Sequence, residues 1–279
     1  RVMAEFDALL DSQPADVVIV VDDLASTMAA AIVTKKRGLK LAHLVAGTRS
    51  FDMNMPKEVN RLVIDALSDY LFTAGVKINS VATREQAEGA GTYMVGNILM
   101  DTLRFNYQRL RRPETIPSLL EKGYLVFTLN RRALLADVDN LTRMVEAITD
   151  ETKDIPVIAP LRGEARKIIE RISPKVQIVN PLSYLEFGWL TAHALGVITD
   201  SGNVAEEATF NHVPCITLNN YTEHQETVSV GSNVLVGEDA GKLREAVGKM
   251  VKGDWKPCAL PDRWDGRTAE RIVQILCNF

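Results

Sequence analysis

The chain reads as an α/β protein built on parallel sheets in two domains, and three observations predict this. Residues 16–21 (DVVIVV) form a mostly continuous β-branched run, which suits a strand buried on both faces. A helical pattern over 28–36 and an apolar run over 40–44 follow, giving a strand–helix–strand unit with a parallel pair and a right-handed crossover. A second such unit occupies 195–237, and the 279 residues, 46% of them apolar, suffice to bury two cores.

Each element follows from local pattern. The chain begins in a helical pattern, with Val2, Phe6, Leu9 and Leu10 at helical spacing. The strand at 16–21 ends in Asp22-Asp23, at the carboxyl edge where parallel sheets hold ligands; the plainer reading is that one of these acids caps the next helix. A basic stretch with Arg104, Arg109, Arg111 and Arg112 runs to Pro113 and reads as a solvated helix and linker. The second domain is expected from about Ser118, with strands at 125–129, 157–160 and 177–179 and an amphipathic helix at 140–148. In the 195–237 unit a strand at 195–198 runs into Thr199-Asp200-Ser201-Gly202. A helical pattern over 203–210 and a strand at 214–218 follow. Backbone N–H groups of Ser201 and Gly202 at that helix start suit a phosphate. Glu206 or Glu207 one turn on suits ribose hydroxyls. The competing reading is an ordinary helix start with two solvated acids.

Composition excludes several classes. A net charge of -4 argues against a nucleic-acid groove. No apolar run approaches a membrane span, and no signal-peptide pattern leads the chain. Cys215, Cys258 and Cys277 follow no metal-ligand spacing and read as packed, reduced thiols, so a cytoplasmic location and no metal are expected.

Longer motifs carry a resemblance. DSG-xxx-EE-A at 200–208, TEHQET at 222–227 and NVLVG at 233–237 resemble blocks of the non-hydrolysing UDP-N-acetylglucosamine 2-epimerase family. The match repeats in order through HLVAGTRSFD at 43–52, MPKEVNR at 55–61, SDYLF at 68–72, GN-xxx-D at 96–101, PLSYLEF at 181–187 and WDG at 264–266. The resemblance implies two Rossmann-like domains facing a cleft, of GT-B type, with the opening strand and a GTRPE-type loop of the first domain missing. It places a partial N-terminal domain at 1–112, a UDP-binding domain at 113–262, and a closing helix at 263–279 that crosses back, with Ile272, Val273, Ile275 and Leu276 as its buried stripe. It implies Asp23, Glu58, Asn130 and Arg131 at catalytic positions. It also implies Phe187, Ser201, Gly202, Asn203, Glu207 and His224 around UDP or a UDP-N-acetylhexosamine. No cofactor is expected, and a homodimer is.

The same resemblance exposes substitutions at reacting positions. The family has glutamates where this chain has Val45 and Lys57, a histidine at Asn130 and in place of Ala159, and an arginine at His224. Epimerisation at C2 needs a base and an acid, each supplying on the order of 10²–10⁴-fold, and neither valine nor asparagine titrates in the working range. Two functions follow: a 2-epimerase of UDP-N-acetylglucosamine and UDP-N-acetylmannosamine, as in polysaccharide biosynthesis, or an inactive UDP-sugar-binding sensor or partner subunit. A GT-B glycosyltransferase shares the fold but not the motifs. With His224 for arginine, UDP binding is expected to be weak and to improve below about pH 6.5, the ordinary histidine pKa.

Overall fold

The computed structural model describes residues 1–116 and 123–278; the expected domain start near Ser118 lies outside them. The chain divides into two compact units, Arg1–Phe105 with Asp262–Phe279, and Asn106–Pro261.

The first unit runs α1 (Val2–Ser12), β1 (Val17–Val21), α2 (Ala25–Lys36), β2 (Lys40–Leu44), α3 (Pro56–Leu67), β3 (Tyr70–Thr73), α4 (Val76–Glu85), β4 (Gly91–Met94) and α5 (Ile98–Asn106). Its sheet has the order β1-β2-β3-β4, all parallel, with Val20 opposite His43 and His43 opposite Leu71. Ala42, Leu44, Phe72 and Val95 pack on one face and Val20, Ala31, Leu41 and Ile64 on the other. The β-branched run of β1 is not buried on both faces as its sequence suggests. Ile19 and Val21 are 48% and 47% exposed; among the described residues β1 is an edge strand, paired with β2 alone. In α1 only Leu10 is buried; Val2 and Leu9 face solvent.

The second unit contains β5 (Leu125–Phe127), α6 (Arg132–Ala136), α7 (Val138–Thr152), β6 (Val157–Pro160), α8 (Gly163–Ile172), β7 (Val176–Val179), α9 (Tyr184–Ala192), β8 (Gly196–Thr199), α10 (Gly202–Phe210), β9 (Cys215–Thr217), α11 (Gln225–Ser229), β10 (Asn233–Leu235) and α12 (Ala240–Val251). The sheet order is β10-β9-β8-β5-β6-β7, again all parallel. The chain winds outward one way from β5 and the other way from β8. These two central strands are neighbours, and the crevice beyond their carboxyl ends is where such sheets bind ligands.

The chain returns to the first unit through α13 (Thr268–Cys277). Trp264 is fully buried there and its indole N–H donates to Ala74 O at 2.9 Å. Asp101 caps α13 from a distant helix, accepting from the backbone N–H of Thr268 (3.0 Å) and Ala269 (2.8 Å). Arg104 donates to Gly266 O, so this end of the basic stretch holds the return segment rather than serving as a free linker. Of the four apolar residues expected to be buried on α13, Ile272 is buried while Val273 is 58% exposed. Gly96 makes the close approach possible: its φ is +101°, and a Cβ there would lie 2.0 Å from Arg263 O. Gly96→Ala is therefore expected to destabilise the first unit by at least ~2 kcal/mol. An unchanged thermal unfolding profile would show that the return segment tolerates displacement.

Candidate functional site

In the second unit the β5–β8 crevice is closed by side chains from both strand ends. The hydroxyls of Thr128 and Thr199 meet at 2.7 Å. Asp200 Oδ2 accepts from the backbone N–H groups of both Asn130 and Arg131, each at 2.6 Å, and so folds that turn onto the end of β8. Arg131 donates to Leu218 O and pairs with Glu238, which turns its guanidinium toward β9. Asn130 is exposed at the mouth.

Helix α10 starts beside this turn. Its N-terminus has no side-chain cap, so the first-turn amides of Gly202 and Asn203 are the candidate anion-binding groups. The Ser201 N–H does not join them, because it donates to Thr199 Oγ1 at 3.0 Å; two residues of sequence separation made that local bond cheaper than an open amide. The His224 ring lies against Gly202, where a Cβ would stand 3.0 Å from Cδ2. Its Nδ1 is 2.7 Å from Glu206 Oε1. Burial opposes the imidazolium, but Glu206, with Glu223 and Glu226, raises the His224 pKa above its ordinary value. Glu226 is buried, and neither of its carboxylate oxygens has a hydrogen-bond partner among the described residues.

Glu207, next along α10, is buried, and burial together with the neighbouring Glu206 carboxylate pushes its pKa up to about 7. Its charge reaches Tyr184, whose phenol is raised by burial first and by Glu207 second. Tyr184 opens α9, whose start is a full capping box between Ser183 and Glu186. The same helix holds Phe187, half-buried against the core of this unit.

The first unit carries a separate polar cluster at its carboxyl edge. Asp23 is 3% exposed. Lys57 Nζ lies 3.0 Å from its Oδ1 and Arg61 Nη2 2.6 Å from its Oδ2. Burial works against ionisation, yet Lys57 and Arg61 outweigh it and hold the Asp23 carboxyl below its ordinary pKa. Glu58 is buried and engaged on both oxygens, taking the N–H and hydroxyl of Ser50, the N–H of Phe51 and Arg61. It clamps the 48–51 loop onto α3. Val45, directly after β2, lies in the left-handed region with φ of +65°, an outlier for a β-branched residue.

Residues 1–277 match the family described as UDP-N-acetylglucosamine 2-epimerase. The chain belongs to this family. A UDP-N-acetylglucosamine 2-epimerase of Methanocaldococcus jannaschii is 34% identical, over 99% of this chain and 79% of that protein. A UDP-2,3-diacetamido-2,3-dideoxy-D-glucuronate 2-epimerase of Pseudomonas aeruginosa is 35% identical over 100% of this chain and 79% of its own length. Among solved structures, that of the M. jannaschii enzyme in complex with UDP-GlcNAc and UDP superposes with a TM-score of 0.80, covering 100% of this chain and 80% of that one. Among the described residues, no helix is long and apolar enough to cross a membrane.

Within this family member, the residues singled out from sequence divide between the two units. Asn130, Arg131, Ser201, Gly202, Asn203, Glu207 and His224 gather at the ends of β5 and β8, with Phe187 one helix away. Asp23 and Glu58 lie in the other unit. Sequence reasoning missed Asp200 as the holder of the Asn130–Arg131 turn, Glu206 as the partner of His224, and Tyr184 beside Glu207. All three lie in blocks legible in the sequence, Asp200 and Glu206 in DSG-xxx-EE-A and Tyr184 in PLSYLEF, but no local pattern names their partners.

Proposed function

We propose that this protein binds a UDP-sugar through its second unit and acts on C2 of a UDP-N-acetylhexosamine as a 2-epimerase. The observation that carries the reading is Glu207, a buried carboxylate kept beside a second one, one turn into a helix whose N-terminus has no side-chain cap. Such an arrangement destabilises the fold and is retained where an acceptor for ribose hydroxyls is needed. Gly202, Asn203 and His224 then face the diphosphate, and Phe187 with Tyr184 faces the uracil. In the first unit Asp23 is the candidate base, Lys57 the cation paired with it, and Glu58 the residue that shapes the loop beside them. In the second unit Arg131 and Asn130 are the candidates at the ends of β5 and β8. Inversion proceeds by removal of the C2 proton with departure of UDP, then re-addition with the proton returned to the other face. No cofactor is proposed. Free Cys215, Cys258 and Cys277 suit the cytoplasm, and a homodimer is the proposed assembly.

Binding without efficient turnover is favoured by one observation. A carboxylate flanked by two cations, as Asp23 is, is a weak base. Incubating the protein with UDP-N-acetylglucosamine in deuterated water tests both. Slow deuterium incorporation at C2 with formation of the C2 epimer is expected. UDP binding with no incorporation would leave only the binding function, and neither binding nor exchange would overturn the proposal.

A further inference from the structure

Two residues other than glycine adopt left-handed backbone conformations at the carboxyl edge of the first sheet: Asp22 (φ +66°) after β1 and Val45 (φ +65°) after β2. Aspartate tolerates this region, whereas a β-branched residue enters it only when its surroundings hold it there. One side chain touches what holds both. His43, on β2 and 2% exposed, places Nε2 3.1 Å from Asp22 O and Nδ1 2.5 Å from Asp65 Oδ1. The other oxygen of Asp65 takes the Gly47 N–H at 2.9 Å and Arg49 Nη1 at 2.7 Å. A chain of contacts thus runs from the Asp22 turn through His43 and Asp65 to the Val45–Gly47 turn.

The chemistry of the partners fixes the protons. A peptide carbonyl only accepts. Asp65, already accepting from an amide and a guanidinium, also only accepts. Both ring nitrogens of His43 must therefore donate. Arg49 Nη1 pairs with Asp65 and its Nε with Glu85 (2.9 Å), which Arg84 also approaches. A neutral ring would leave one of its two contacts as acceptor against acceptor.

We infer that His43 is a buried imidazolium and a positioning residue, locking the left-handed turns after β1 and β2 and thereby fixing Asp23, which directly follows Asp22. Its bearing on turnover rests on the role proposed above for Asp23; its charge and its hold on the two turns do not.

Long-range proton–nitrogen NMR of the ¹⁵N-labelled full chain at neutral pH tests the charge, with the His43 signals picked out from the four histidines by their loss in His43→Gln. Two protonated ring nitrogens are expected. One unprotonated nitrogen would overturn the inference. The lock is read from backbone amides: His43→Gln is expected to move the resonances of residues 22–24 and 45–47 together, and a response in only one turn would overturn it. In the exchange assay the variant should lose roughly tenfold or more in kcat at unchanged KM, with UDP affinity intact. An unchanged kcat in the folded variant would remove the positioning role. Total absence of exchange in the native protein would instead sink the epimerase reading and leave the NMR results to decide this one. If His43→Gln fails to fold, Asp65→Asn serves: it is expected to strip one proton from the His43 ring, and a ring still doubly protonated would count against the inference.

Discussion

Replacing Glu207 with glutamine is expected to make the protein more stable and a poorer nucleotide binder. The Glu207 pKa is raised to about 7 in the folded state, by burial and by Glu206, from an ordinary value of 4.5. For a group raised on folding, the native state is favoured while the group is protonated. That advantage is present below pH 4.5 and is lost as pH rises through about 7. The native protein should therefore fall behind Glu207→Gln progressively across this window. At pH 8 the gap should reach about 3 kcal/mol, from roughly 1.4 kcal/mol per pKa unit. Unfolding followed at several pH values between 4 and 8 measures it, and a stability difference independent of pH would refute the assignment. UDP affinity should move the other way. An ionised Glu207 accepts ribose hydroxyls, and losing hydrogen bonds to a charged group weakens binding by roughly 10- to 100-fold. The two titrations also bear on the pH expectation drawn from sequence. The charge on His224, raised by Glu206, favours UDP at lower pH, while that on Glu207 favours it at higher pH. UDP affinity should pass through a maximum rather than rise steadily below pH 6.5, and Glu207→Gln should leave only the decline at high pH.

The second large effect concerns the chemistry. Val45→Glu combined with Lys57→Glu is expected to accelerate C2 exchange by on the order of 10²-fold or more, the usual contribution of a placed acid or base. Lys57→Glu acts partly through its neighbour. It removes the cation 3.0 Å from Asp23 and puts a like charge in its place, which raises the pKa of Asp23 and makes it a better base. Val45→Glu adds a titratable group at the end of β2 and takes β-branching out of a left-handed position. A folded double variant with native UDP affinity and no gain in exchange would show that these positions do not face the reacting carbon.

Much of the fold was legible because parallel strands and their crossovers are written locally. The run at 16–21, the helix after it and the strand at 40–44 need only near neighbours to declare themselves, and so does the strand–turn–helix start at Thr199–Gly202. Burial was less legible. Ile19 and Val21 have the composition of a doubly buried strand, but exposure depends on what lies alongside, and among the described residues β1 has a partner on one side only.

At the candidate sites, sequence by itself determined the residue types at the carboxyl ends of both sheets: an acid after β1, a small glycine-bearing turn before α10, two adjacent glutamates one turn in, and valine, lysine and asparagine at positions where the family titrates. Which of those groups are available was decided by tertiary structure. Glu58 is spent on the Ser50–Phe51 loop, Asp23 on Lys57 and Arg61, His224 on Glu206, and Asp200 on the amides of Asn130 and Arg131. Asp200 and Asn130 lie 70 residues apart and meet because neighbouring strands end at the same edge, and His43 and Asp65 lie 22 apart and meet because α3 packs on β2. The physical reason is that a polar group's charge and reactivity are set by the acceptors and donors within about 3 Å of it once water is excluded, and no local pattern records which distant residues those will be.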